Sequence, residues 1–357
     1  MKRWNYFLDT FLIFLYSQYF TLGPNFLNLT KEINMKALKT MLCLISTVGL
    51  ASAVYAGEKW DMPTPYPDAT FHTANIHQFA DDVKVATGGA LEIKVHSAGS
   101  LFKHGEIKNS IRSGQVPIGE FYMGLLANEH PVFAIDSMPF LATDYDAAKK
   151  LWNVTKPTVA EQFEKQGLMV LFSVPWPPQG LYAKKEINNA EDMAGLKFRA
   201  YNATTTRLAN LAGAVPTQIE VADLPQAFAT GRVEAMITSP STGVSTKAWD
   251  FLSHFHHIQG WIPKNVVVIN KRAFQRLDAS VQQQVMFAAG KAEARGWAKS
   301  MAETDEKIAI LQKNGVQIVS PSASLISSLK QIGATMSSEW SAKAGAEGQA
   351  LINSYTR

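Results

Sequence analysis

The chain has 357 residues, 46% of them apolar, a formal net charge of +4 and a single cysteine. That length and apolar content suit a globular protein with two cores rather than one, and no low-complexity tract or internal repeat points to a fibrous or solenoid architecture. The first 56 residues hold five of the 34 basic and two of the 30 acidic side chains, leaving 29 and 28, so the remainder is nearly neutral and shows no electrostatic footprint for nucleic acid or an anionic membrane.

Residues 35–56 read as a complete secretory signal. Lys36 and Lys39 form the basic start, Met41 to Ala51 the apolar stretch, and Val54-Tyr55-Ala56 the small-residue cleavage site. Met35 is therefore expected to be the true start, with residues 1–34 an upstream extension outside the fold. Asp9, Ser17 and Gln18 interrupt the aromatic run Phe11 to Phe20 and make it a poor membrane span. The only cysteine, Cys43, lies inside the signal, so the exported chain carries neither disulfide nor thiol chemistry.

From Gly57 onward the pattern alternates helix and strand. Lys59 to Met62 reads as a short first strand, and the Pro-rich loop Pro63 to Pro67 after it presents Tyr66 as a pocket wall. Apolar positions Ile76, Phe79, Ala80 and Val83 recur at helical spacing within Phe71 to Ala86, and Thr87-Gly88-Gly89 stops that helix. Leu91 to Val95 alternates as a half-buried strand. A short helix over Glu106 to Ser113, a strand over Val116 to Met123, a helix over Asp146 to Lys165 and the apolar strand Leu168 to Val174 follow. That strand runs into Pro175-Trp176-Pro177-Pro178, a sequence that leaves a sheet abruptly and marks a first crossing between domains.

The stretch Gly195 to Pro240 predicts strand, helix, strand, helix, strand. Asn202 and Asp223 stand where N-caps are wanted, and Gly213 and Gly231 where helices end. Its strands read as parallel strands covered on both faces. Ligands of such units collect at the carboxyl ends of the strands, where Arg199, Thr238 and Ser239 fall. Trp249 to Trp261 is predicted as an aromatic, histidine-rich loop. Val266 to Ile269 predicts a strand returning to the first domain, followed by a long helix through Lys313 with Asp278 as its cap, a strand over Val316 to Val319, and one or two closing helices.

Several segments together carry a family resemblance. Phe79 to Val95, Pro139-Phe140-Leu141, Gly195 to Arg199, Ala227 to Ala235 and Val268 to Asn270 resemble, in order and across nearly all of the exported chain, the extracytoplasmic solute receptors of TRAP transporters. The resemblance implies an α/β, two-domain periplasmic binding protein fold with a hinge, mixed sheets flanked by helices, and a ligand cleft between the domains. The expected division is 57–176 plus 265–304 for one domain and 177–264 plus 305–357 for the other. It further implies a monomeric periplasmic receptor, without cofactor, that delivers an organic acid to TRAP membrane permease subunits.

In that family an arginine at the position of Arg199 grips the ligand's carboxylate; its planar fork matches a carboxylate bidentately. Many members place a second arginine where this chain has Gln179, and have Asn-Pro where it has Ser239-Pro240. Without the second cation a further carboxylate would lack a partner, which favours a monocarboxylate. With Arg199, the expected ligand-binding residues are Ser239, Gln179, Tyr122, Trp176, Thr238, Tyr66 and Trp261. Their aromatic character suggests an aromatic acid or a small 2-oxo or hydroxy acid, and a sulfonate would use the same arginine.

Two rival readings stand beside this one. A ligand-sensing receptor for a membrane kinase would use the same fold. An exported enzyme is disfavoured because the chain has no Gly-x-Ser-x-Gly elbow, zinc-hydrolase helix motif or phosphate loop. His254, His256 and His257 crowd one loop without a spaced carboxylate or thiol, so no metal site is expected.

Overall fold

The computed structural model describes residues 57–357. The upstream-extension and signal-peptide expectations lie outside the described residues. Among the described residues no helix is long and apolar enough to cross a membrane.

Three sheets organise the described residues. β1 (Glu58–Pro63) and β2 (Leu91–His96) form a parallel pair, joined by α1 (Phe71–Ala86). Thr70 caps α1 by accepting from the Thr73 N–H, and Ile76, Phe79, Ala80 and Val83 turn its apolar stripe inward. After α2 (Ile107–Ser113), an antiparallel sheet is built from β3 (Ile118–Tyr122), β4 (Leu168–Pro175) and β10 (Lys264–Asn270), in the order β3-β10-β4. The helix α3 (Tyr145–Glu164) lies between β3 and β4 in the chain and buries Leu151, Trp152, Val159 and Phe163.

The third sheet is mixed and has six strands. Its members are β5 (Gly180–Ala183), β6 (Lys197–Ala200), β7 (Val215–Gln218), β8 (Ala235–Thr238), β9 (His254–His256) and β11 (Gln317–Val319), in the order β11-β9-β5-β8-β6-β7. β6, β7 and β8 run parallel, with α4 (Ala203–Leu211) and α5 (Leu224–Ala229) as crossovers. Two short helices, α6 (Pro240–Ser245) and α7 (Lys271–Arg276), follow β8 and β10 in the chain. The chain leaves the first lobe at Trp176 to Gln179, where the Trp176 N–H donates to the Pro263 carbonyl and the Gln179 N–H to the Trp261 carbonyl. It returns along Gly260 to Lys264, so the two crossings run side by side.

Two long helices tie the lobes together. α8 (Ala279–Lys313) contributes Val285, Ala288, Ala289 and Ala292 to the core around Phe79 and Phe172, and Leu311 to the core around Tyr182 and Phe255. α9 (Ala323–Thr356), kinked at Gly345 where the backbone leaves the helical region (φ 60°, ψ −146°), packs Leu325, Leu329 and Met336 with Phe198 and Ile237 of the second lobe, and Trp340, ahead of the kink, with Ile135, Met138 and Leu151 of the first. The Trp340 indole donates to the Pro131 carbonyl and the Tyr355 hydroxyl to the Leu141 carbonyl.

The sequence expectations need four corrections here. β7 is an edge strand, not one covered on both faces: it is last in the sheet order and Val215 is 55% exposed, which also explains how Pro216, lacking an N–H, is accommodated there. The segment around the three histidines is not all loop, because His254 and His256 lie on β9, paired with β5 and β11. β5 itself was not anticipated; four residues after a proline run offer too little pattern. Asp223 and Asp278 stand at helix starts, but neither side chain makes a capping hydrogen bond.

Candidate ligand-binding site

A cavity with about 420 Å³ of empty space opens between the two lobes, lined from the first by Tyr66, His104 and Tyr122 and from the second by Arg199, Tyr201, Glu220, Thr238, Ser239 and Thr242; Trp176, Gln179 and Pro263 line it from the crossings. Every residue expected in the site lines this cavity except Trp261, which stands one row behind. Its indole N–H donates to the Tyr201 hydroxyl at 3.0 Å, and that hydroxyl donates to Gln179 Oε1 at 3.3 Å. The Gln179 Nε2 in turn donates to the Pro177 carbonyl at 2.9 Å. The Gln179 amide is thus engaged in fixing the crossing and the Tyr201 ring, and supplies no cation.

Arg199 projects from the carboxyl end of β6 and is only 1% exposed. Its Nε donates to the Ile219 carbonyl at 2.9 Å, and its guanidinium carbon lies 5.0 Å from the centre of the Tyr201 ring, a cation–π arrangement. Among the described residues no carboxylate lies within ion-pair distance of it. Burial lowers its pKa to about 10, against the opposing pull of Tyr201, Glu220 and Tyr66. An arginine held this way can meet an anionic group through its planar fork.

The second charged group is Glu220, just after β7. Burial would raise its carboxyl pKa, but the hydrogen bond and charge of His104, with a contribution from Arg199, hold it below the usual range. His104 Nδ1 lies 3.1 Å from Glu220 Oε2, while its Nε2 accepts the Tyr122 backbone N–H at 3.0 Å. The accepting role of Nε2 makes Nδ1 the N–H that donates to Glu220. This pair bridges the lobes. So does Asn202, the N-cap of α4: its Oδ1 accepts from the Thr205 N–H at 2.8 Å and its Nδ2 donates to the Tyr122 hydroxyl at 2.9 Å.

Thr238 and Ser239 close the second-lobe wall. Ser239 Oγ accepts from the Thr242 N–H at 3.1 Å, which starts α6, and the Ser239 carbonyl accepts from the Tyr182 hydroxyl at 3.2 Å. The Tyr66 and Trp176 rings meet edge to face, 4.9 Å between centroids, and form an aromatic corner. His104, Tyr201, Glu220 and Thr242 were missed from sequence. Glu220 and Tyr201 each sit just past the end of a parallel strand, as Arg199 sits at one, and the strand-end rule applied evenly would have included them.

Among the described residues no group of three or more His, Cys, Asp or Glu could hold a metal ion. His256 is engaged structurally, Nε2 accepting from the Ile187 N–H at 2.9 Å.

Two α/β lobes joined by paired crossings, with a buried, unpaired arginine in the cavity between them, define a binding protein of the periplasmic type. Residues 64–343 match the bacterial extracellular solute-binding proteins of family 7, and the chain belongs to that family, the extracytoplasmic solute receptors of TRAP transporters. It is 47% identical to DctP7 and 43% identical to DctP6, two Bordetella pertussis extracytoplasmic solute receptors described as binding pyroglutamic acid. Each comparison covers 84% of this chain, with 100% of DctP7 and 99% of DctP6, and each has a TM-score of 0.83. A TRAP solute-binding protein from an unidentified marine microbe, described as specific for pyroglutamate, is 42% identical over 84% of this chain and 99% of its own, with a TM-score of 0.82. The C4-dicarboxylate-binding periplasmic protein DctP of Rhodobacter capsulatus is 23% identical over 65% of this chain and 70% of its own.

Proposed function

We propose that this protein is a monomeric periplasmic receptor that captures a small cyclic monocarboxylate bearing a hydrogen-bond donor, pyroglutamate foremost, and passes it to the membrane subunits of a TRAP transporter. The observation that carries this reading is the pairing, in one cavity, of a buried arginine without a carboxylate partner and a carboxylate held ionised. Arg199 takes the ligand's carboxylate through its fork. Glu220, an acceptor only, takes a ligand N–H and disfavours a second carboxylate, which would face a like charge. The edge-to-face corner of Tyr66 and Trp176 suits a compact ring. Pyroglutamate has one carboxylate, one lactam N–H and a five-membered ring, and three receptors more than 40% identical to this chain are described as binding it. Of the acids favoured by sequence, an aromatic or 2-oxo acid shares the carboxylate and the flat body but offers nothing to Glu220, whereas a hydroxy acid offers it an O–H.

A thermal-shift comparison of pyroglutamate, cyclopentanecarboxylate, succinate, phenylpyruvate and galacturonate tests the reading. Pyroglutamate at a hundred times its dissociation constant is expected to stabilise the protein by about 2.7 kcal/mol. Cyclopentanecarboxylate, which lacks the N–H, gives a much smaller shift, and Glu220→Gln narrows the gap between the two. A larger shift with succinate or phenylpyruvate would overturn the proposed ligand.

A further inference from the structure

We propose that Glu120 is a positioning residue that sets the aromatic corner of the cavity without touching what the cavity holds. The proposal rests on reading the cavity as the ligand site, but its first readout needs no ligand. Glu120 sits on β3, 1% exposed, and does not line the cavity. Its Oε2 accepts from Thr64 Oγ1 at 2.6 Å; its Oε1 accepts from Asn265 Nδ2 at 3.0 Å and lies 3.3 Å from His72 Nδ1. β10 pairs with β3 so that Asn265 stands opposite Tyr122 and Val267 opposite Glu120, which puts Glu120, Tyr122 and Asn265 on one face of the sheet.

The consequence lies at Asn265. An asparagine amide has nearly the same shape either way round, so its hydrogen-bond partners decide its orientation. An ionised carboxylate only accepts, so Glu120 draws the Asn265 NH2 to itself and leaves Oδ1 facing the opposite way. There Oδ1 accepts two bonds, from the Trp176 indole N–H at 2.9 Å and the Tyr66 hydroxyl at 3.2 Å. These are the two rings of the corner. A flipped amide would set its NH2 against the indole N–H, donor against donor. The His72 ring packs on Trp176 from behind, 4.2 Å between centroids, and completes the support. A leucine would fill the space of Glu120, but it could not choose between the two ends of the Asn265 amide.

Protein labelled with ¹⁵N-tryptophan reports the Trp176 indole N–H directly, the resonance being assigned by its loss in Trp176→Phe. Asn265→Asp removes the donor and sets two carboxylates face to face; it is expected to shift the Trp176 resonance and to weaken pyroglutamate binding about tenfold or more. Adding Glu120→Gln moves the carboxylate one place along the network. The introduced glutamine amide then donates to one oxygen of the introduced aspartate, whose other oxygen accepts from Trp176 and Tyr66. The double variant is expected to return the resonance to its parental position and the affinity to within about threefold, a coupling that loss of packing alone would not produce. A double variant that matches Asn265→Asp alone in both readouts, or an Asn265→Asp variant with an unmoved resonance, overturns the proposal. Should Asn265→Asp fail to fold, recovery of folded protein and of the resonance in the double variant supports it, and a double variant that also fails overturns it. Failure of pyroglutamate to bind the parent counts against the proposed ligand alone, since the resonance decides the role of Glu120.

Discussion

In the proposed binding mode, Arg199 is the residue at which stability and binding oppose one another. A guanidinium buried without a counter-charge, its pKa lowered from the usual arginine range to about 10, carries a cost on the order of 3 kcal/mol in the ligand-free protein. By linkage, above about pH 10 the unfolded chain still holds the proton that the folded one has lost, so the cost is fully present below that pH and is relieved as pH rises beyond it. A ligand carboxylate relieves it at neutral pH. Arg199→Met should therefore abolish ligand-induced stabilisation while leaving the ligand-free protein at least as stable as the parent. The gain is offset in part because the Ile219 carbonyl loses its donor, worth about 1–3 kcal/mol. At about 2–4 °C per kcal/mol, a ligand-free melting temperature unchanged or raised by a few degrees is expected in calorimetry. A fall of about 5 °C or more would mean that Arg199 supports the fold rather than opposing it.

At the scale of elements, α4 shows one residue serving both folding and closure. Asn202 caps the helix through Oδ1 and reaches Tyr122 across the cavity through Nδ2. Asn202→Ser keeps the cap but is too short to reach Tyr122, so it should leave stability within about 0.5 kcal/mol while weakening ligand binding. Asn202→Ala should add a stability loss of about 1 kcal/mol from the lost cap. Equal binding by Asn202→Ser and the parent in calorimetric titration would remove Asn202 from the closing contacts. The cap was legible in the sequence because N-capping is local chemistry, as was the extent of α1, where periodicity and the glycine stop agree. The bond to Tyr122 was not legible, since it depends on how two elements 80 residues apart in the chain meet. The same division separates Arg199, which lines the cavity as its place at a strand end suggests, from Trp261, whose aromatic character suggested the cavity although its indole serves Tyr201 behind it. Phe140, in the left-handed region at φ 61°, is held by its N–H donating to the Gly260 carbonyl at 2.7 Å, a tertiary constraint that no local pattern announces.

For the whole molecule, the end of β4 at Pro175 and the strand β10 that follows Pro263 were legible because a run of prolines ends a strand and a fully apolar run marks one. The bridging role of α8 and α9 was hidden, since one helix can serve two cores without any break in its periodicity. Besides the paired crossings, the lobes meet through His104 to Glu220 and Asn202 to Tyr122. The first contact depends on the Glu220 carboxylate. Because the folded-state pKa of Glu220 lies below its ordinary 4.5, its contribution to the closed form is fully present above that value and is lost as pH falls through the lower folded value. Arg199 sets the other limit, near pH 10, above which the cation that receives the ligand is lost. Affinity for pyroglutamate should therefore hold between these limits, with Glu220→Gln removing the contribution of Glu220 to the acid limb and leaving the alkaline one in place. Small-angle scattering at neutral pH, with and without a saturating ligand, should show a smaller radius of gyration in the bound state, as hinge closure requires. Glu220→Gln should need more ligand to reach that same compact state, because it loses the charge-assisted bond to His104 but keeps the hinge. Superimposable profiles with and without a ligand that stabilises the parent would refute closure, and an acid limb unaltered by Glu220→Gln would assign it to another group.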